Sequence, residues 1–137
     1  MDYQELIVNK YKYWDLYLHK NQCYIGRCYL WAKREDATDF IETTEEERYE
    51  FFFITYNLKK ALREAFLPNM FNYASLNNVE KHLHVHVIPR YKIIVPFQGI
   101  KFCDERYGKN FAPYNKSFVL QKPVLQAVIN KIKSHLL

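Results

Sequence analysis

His82-Leu83-His84-Val85-His86-Val87-Ile88-Pro89-Arg90 is a short apolar run with a histidine at every second place in its first half. It is rich in β-branched residues and bounded by Pro89, so it reads as a strand. Side chains along a strand point alternately to opposite faces. The three imidazoles therefore share one face, and Leu83, Val85 and Val87 share the other. Packing alone does not account for three titratable rings side by side, because each buried ring nitrogen needs a hydrogen-bond partner. Something polar must meet that face, and a phosphate or a metal ion are the natural candidates.

The chain has 137 residues, which suits one domain, 1–137, with one core. With 49% hydrophobic residues it is globular rather than disordered. Aromatics are abundant, with 12 Tyr, 10 Phe and 2 Trp, and most of them belong to core and boundary packing. Tyrosine is amphipathic, so some can line a groove or a subunit interface. The net charge of +5 favours an anionic ligand, but the basic residues are scattered, with no run longer than Lys59-Lys60. Cys23, Cys28 and Cys103 are odd in number and lack CxxC spacing, so they read as reduced thiols. There is no apolar leader and no stretch of transmembrane length, so the expected location is the cytoplasm.

Outward from the histidine run, Asn77 to Lys81 is a polar loop and 70–76 reads as a strand. Further upstream, Thr44-Glu45-Glu46-Glu47 is a capping-box pattern that opens a long helix. Phe51, Ile54, Leu58, Ala61, Leu62 and Ala65 follow at helical spacing, and Pro68 ends the helix. This stripe faces the core. Residues 14–19 and 24–33 read as strands joined by the polar Lys20-Asn21-Gln22, and Gly26 marks a bulge or a close backbone approach. Residues 96–113 read as a long irregular surface loop. Lys122-Pro123 opens a final helix with the stripe Leu125, Val128, Ile129, Ile132 and Leu136. The order predicts an α+β fold: a mainly antiparallel sheet of about five strands, one long helix and a C-terminal helix.

The histidine run resembles the signature of the histidine triad (HIT) family of nucleotide hydrolases and transferases, His-φ-His-φ-His-φ-φ with φ apolar. Here it reads His82-Leu83-His84-Val85-His86-Val87-Ile88, followed by Pro89-Arg90-Tyr91, a tail also seen in many members. Asn72-Tyr73-Ala74-Ser75-Leu76-Asn77-Asn78 resembles the segment leading into that strand. Tyr24-Ile25-Gly26-Arg27 is similar to the glycine-containing strand near the N-terminus of these proteins, and 102–114 to an extension found in a microbial, diadenosine polyphosphate hydrolase-like branch. The resemblance implies a HIT-like α+β fold, a homodimer and a two-step reaction. His84 would attack the α-phosphorus, with its other nitrogen bonded to the carbonyl of His82, and His86 would donate to a phosphate oxygen or the leaving group. Water would then release a nucleoside monophosphate. The substrate would be a dinucleoside polyphosphate or a nucleoside phosphoramidate. No metal is needed for the covalent step, although magnesium can ride on a polyphosphate.

The same resemblance places Asn72 and Asn78 among the substrate-contacting amides, and Trp14 or Tyr17 at the border of the nucleoside slot. Two residues depart from the familiar pattern. Arg27 stands where many members carry a fourth histidine, and is a candidate for phosphate contact. His19 stands where better-known members place Asp or Asn against the ribose hydroxyls, and can bond one hydroxyl without a carboxylate's bidentate grip. His135 reads as an ordinary cation at the end of the last helix. Two other classes compete. Three histidines on one face can ligate zinc with a water as fourth ligand, but only Glu80 adjoins the strand to support such ligands. A noncatalytic nucleotide- or RNA-binding module is the other, but no RNA-binding signature is present and nucleic acid is not an expected partner.

Overall fold

Five strands form one antiparallel sheet in the order β1-β2-β3-β5-β4, from β1 (Ile7–Lys10), β2 (Trp14–Leu18), β3 (Cys28–Ala32), β4 (Met70–Ala74) and β5 (His84–Arg90). The structure is a computed structural model that describes residues 3–137. Two helices, α1 (Glu45–Phe66) and α2 (Lys122–Lys133), complete the α+β fold. Strand parity divides the sheet cleanly. Trp14, Leu16 and Leu18, then Cys28, Leu30 and Ala32, then Val85 and Val87 are buried in the core with the stripe of α1. Residues of the opposite parity face away from that core.

Local chemistry sets the helix ends. Thr44 accepts from the Glu47 N–H and Glu47 accepts from the Thr44 N–H, the reciprocal pair expected from the sequence. The helix stops at Leu67, which is left-handed (φ 56°) just before Pro68. The predicted α1 stripe is buried at Phe51, Ile54, Leu58, Ala61 and Leu62, while Phe66 takes the place expected of Ala65. In α2, Leu125, Val128, Ile129 and Ile132 are buried and Leu136 packs against the core edge.

Several expectations are corrected. β1 lies before the first strand predicted; only Val8 of its four residues is buried, so it offers almost no hydrophobic alternation to read. The second strand begins at Cys28 rather than at residue 24, because Tyr24–Gly26 turns the chain, with the Arg27 N–H donating to the Tyr24 carbonyl. The histidine strand begins at His84: the Leu83 N–H leaves the ladder to bond the Ala37 carbonyl. The segment 96–113 contains a hairpin of β6 (Val95–Phe97) and β7 (Ile100–Phe102). Gln98 and Gly99 both have positive φ, the two-residue turn geometry that suits strand twist, but three-residue strands leave little periodic signal. Among the described residues, no helix is long and apolar enough to cross a membrane.

Candidate active site

Register places the site on the sheet face away from α1. Asp15, Trp31 and His84 lie in one cross-strand row, and Tyr17, Tyr29 and His86 in the next. His19 follows β2 and is tied across to β3's start, its N–H donating to the Arg27 carbonyl. Four of the chain's five histidines therefore gather here, with His19 and His86 ring centres 5.6 Å apart and His84 and His86 5.1 Å apart. Trp31 stacks against both His82 (4.3 Å) and His84 (5.9 Å), so the His82 ring joins the group although it precedes the strand.

The ring nitrogens have defined partners. His82 Nε2–H donates to the Ala32 carbonyl at 2.6 Å. His84 Nδ1–H donates to the His82 carbonyl at 2.8 Å, since a carbonyl only accepts. In neutral His84 the lone pair is then on Nε2. His86 Nδ1 faces the Arg27 guanidinium, 3.4 Å from Nη2. Burial, followed by the nearby Arg27 charge, holds His86 down to about 3. His19 is also lowered to about 3, again by burial first and Arg27 second. The Asn21 N–H donates to its Nδ1 at 3.0 Å.

Arg27 is 3% exposed and has no carboxylate partner among the described residues. Its guanidinium lies over the rings of Tyr114 (4.8 Å) and Phe111 (5.3 Å). Burial lowers its pKa and the Tyr114 hydroxyl opposes that shift; arginine stays charged throughout. Segment 103–118, which supplies those rings, is fastened by a second buried arginine. Arg90 pairs with Asp104 at 2.7 Å and also donates to the carbonyls of Arg106 and Lys109 and to Asn72 Oδ1.

A cavity of about 380 Å³ opens over the histidine face. His84, His86 and His19 line it with Tyr17, Tyr29 and Trp31, and Lys20 and Glu80 also border it. Tyr17 and Tyr29 are stacked at 5.2 Å. Of the two aromatics offered as alternatives for the border of the nucleoside slot, Tyr17 lines this cavity and Trp14 does not. Trp14 has the parity of Leu16 and Leu18, is fully buried, and donates its indole N–H to the Glu47 carbonyl. Asn72 pairs with Ile88, one row beyond His86, with its oxygen held by Arg90. Asn78 is exposed on the loop, where its backbone carbonyl accepts from Lys81 Nζ. Neither amide lines the cavity, and Arg27 lies behind His86 rather than in the lining. Tyr29 and Trp31 were missed in the sequence, although their alternation with Leu30 and Ala32 put them on the face opposite the core.

The histidine rings are turned to separate partners. Among the described residues, no group of three or more His, Cys, Asp or Glu side chains is arranged to hold a metal ion.

The family model for the HIT domain matches residues 15–93, more than half of the chain. Solved structures share its fold. A histidine triad protein from Sinorhizobium meliloti superposes with a TM-score of 0.80 at 18% identity, covering 96% of this chain and 89% of that one. A histidine triad protein from Marinobacter aquaeolei gives 0.71 at 18% identity, over 98% and 91%. Diadenosine triphosphate hydrolase from Plasmodium falciparum, solved with cyclomarin A, gives 0.66 at 14% identity, over 98% and 77%. No curated protein matches the sequence. With the histidine strand, the sheet order and the match over 15–93 in agreement, the chain belongs to the HIT domain family.

Proposed function

We propose that this protein is a nucleotide hydrolase that cleaves at a nucleoside α-phosphate through a nucleotidyl-His84 intermediate. The observation that carries the reading is the hydrogen bond from His84 Nδ1–H to the His82 carbonyl, which leaves the Nε2 lone pair at the cavity. That lone pair forms a bond to the α-phosphorus while the bond from phosphorus to the leaving group breaks, and the leaving group takes the electron pair. The His84 ring is then positively charged, with Nδ1–H still on the His82 carbonyl. Water attacks the same phosphorus, the P–N bond breaks, its electrons return to Nε2, and one water proton passes to solvent. The products are a nucleoside monophosphate and the leaving group, and the enzyme is restored.

The other residues have roles that follow from their places. Tyr17, Tyr29 and Trp31 give the nucleoside an aromatic wall, and His19 bonds a ribose hydroxyl. Asn72, with its oxygen held by Arg90, has its amide N–H2 to offer to a phosphate oxygen. The test is AMP release from diadenosine polyphosphates and from adenosine phosphoramidate, in metal-free buffer and with magnesium. The expected result is AMP without metal from wild type and none from His84→Ala, with folding unchanged. AMP from the mutant at the wild-type rate sinks the nucleophile assignment. No AMP together with zinc in the purified protein supports the metal-site reading instead.

The proposed partner is a second copy of the chain. β4 is an edge strand with Tyr73 half-exposed, and Phe52 and Tyr56 of α1 stand exposed beside it. Pairing two β4 edges about a two-fold axis would cover both the open ladder and these rings.

A further inference from the structure

Arg27 has a feature that direct phosphate contact does not explain. It is a charged group, almost wholly buried, without a carboxylate among the described residues, and its Nε and Nη1 have no hydrogen-bond partner. Leaving guanidinium N–H groups unpaired in a protein interior costs free energy. Two aromatic rings offset part of that cost. The polar contacts that remain are the Tyr114 hydroxyl, which accepts from the guanidinium, and His86 Nδ1. A guanidinium has five donors and no acceptor, so Nδ1 must present its lone pair there. The ring's one proton is then on Nε2, on the side of the cavity that His86 lines. The same logic runs in reverse at His84, where a carbonyl takes the Nδ1 proton and bares Nε2.

We propose that Arg27 is the positioning residue for His86: it fixes the Nε2–H tautomer and keeps the ring neutral, which suits the site to leaving groups that depart as phosphate anions rather than as amines. The substrate half of this inference rests on nucleotidyl transfer at His84. A phosphate leaving group needs a hydrogen-bond donor for the charge it gains as the P–O bond breaks, and a neutral Nε2–H supplies one. An amine leaving group must collect a proton as the P–N bond breaks. Neutral imidazole has no acidic proton to give near neutral pH, whereas imidazolium does. The groups facing His86 all act in one direction: Arg27 from the start of β3, His19 after β2 and His84 on its own strand each oppose a second proton. Tyr29, packed beside it, carries no charge at neutral pH because burial pushes its phenol up.

The test joins a spectroscopic readout to kinetics. Nitrogen-15 NMR of the wild type, with His86→Gln to assign the ring, reads tautomer and charge directly, in free protein and with AMP added. The expected His86 signal is a neutral Nε2–H tautomer from pH 8 to pH 5.5. A proton on Nδ1, or titration near the ordinary histidine value, overturns the assignment without reference to any substrate. In kinetics, wild type is expected to prefer a diadenosine polyphosphate over an adenosine N-alkyl phosphoramidate. Arg27→Met is expected to lower kcat on the polyphosphate roughly 10- to 100-fold, the size of effect that outer partners have on metal-ligating imidazoles, with KM little changed. Its pH profile should gain an acid limb at higher pH than the wild type's, because the Arg27 charge no longer opposes a second proton on His86 while burial still does, and the phosphoramidate should gain relative to the polyphosphate as pH falls. Arg27→Lys, which keeps a cationic donor, should recover part of kcat; an unchanged kcat in Arg27→Met contradicts the proposal. If Arg27→Met does not fold, the wild-type tautomer and the Lys variant decide. If wild type cleaves neither substrate, the hydrolase reading and the leaving-group preference fail together, while the NMR result still decides what Arg27 does to His86.

Discussion

His84 and His86 are two residues apart on one strand, and each has its inner nitrogen committed to a different partner. A carbonyl takes the Nδ1 proton of one, and a guanidinium faces the Nδ1 of the other. Identical side chains thereby offer the cavity opposite functions at Nε2. Burial gives His19 and His86 a stability signature. His19 and His86 are held at about 3 in the folded protein, against about 6.5 in an unfolded chain. Between those values the unfolded state binds protons that the folded state does not, so stability falls as pH drops below about 6.5. The expected slope is on the order of 1 kcal/mol per pH unit for each ring. Urea titrations at pH 7 and pH 5.5 should show a lower midpoint at the acid pH with an unchanged slope. His86→Gln should reduce the difference. A midpoint indifferent to pH would mean that these rings are not kept neutral by the fold.

At the scale of elements, the turn before β3 is the sensitive point. Gly26 has φ +92°, and a Cβ built there would stand 2.7 Å from Leu62 Cδ2 of α1. Gly26→Ala therefore combines backbone strain with a clash in the core, and should cost roughly 2–4 kcal/mol in denaturant unfolding. Gly99→Ala, at φ +75° with open space around it, carries the strain alone and should cost less. What was legible in the sequence follows the same physics. The α1 stripe, its capping box and the histidine strand were legible because period and cap chemistry are local. β1 and the β6–β7 hairpin were not, being three or four residues long with little buried. Analogy offered Trp14 or Tyr17 for the site face, and parity with Leu16 and Leu18 puts Trp14 in the core. Register, which brings Tyr29 beside His86 and Trp31 beside His84, is a property of pairing between distant segments. No single-strand pattern reveals it.

For the whole molecule, two buried arginines join the sheet to the 103–118 segment. Arg90 carries the covalent path of β5 outward and is neutralised by Asp104, itself fully buried. Asp104→Asn leaves an uncompensated guanidinium, so unfolding free energy should drop by about 3–5 kcal/mol, measured by urea titration. A loss under about 1 kcal/mol would show that solvent reaches the pair, as it does at exposed ion pairs. The exposed β4 edge and α1 face form the proposed contact with a second copy. Tyr56→Glu should shift sedimentation from dimer to monomer, and a wild-type protein that sediments as a monomer at micromolar concentration contradicts the proposed pairing. All of these elements converge on one chemical claim, that phosphorus passes through a bond to His84. The most direct measurement is the stereochemical course at an α-phosphorothioate centre, with hydrolysis in oxygen-18 water. Two in-line displacements predict net retention of configuration at phosphorus; net inversion would mean that water attacks directly and that His84 is not the nucleophile.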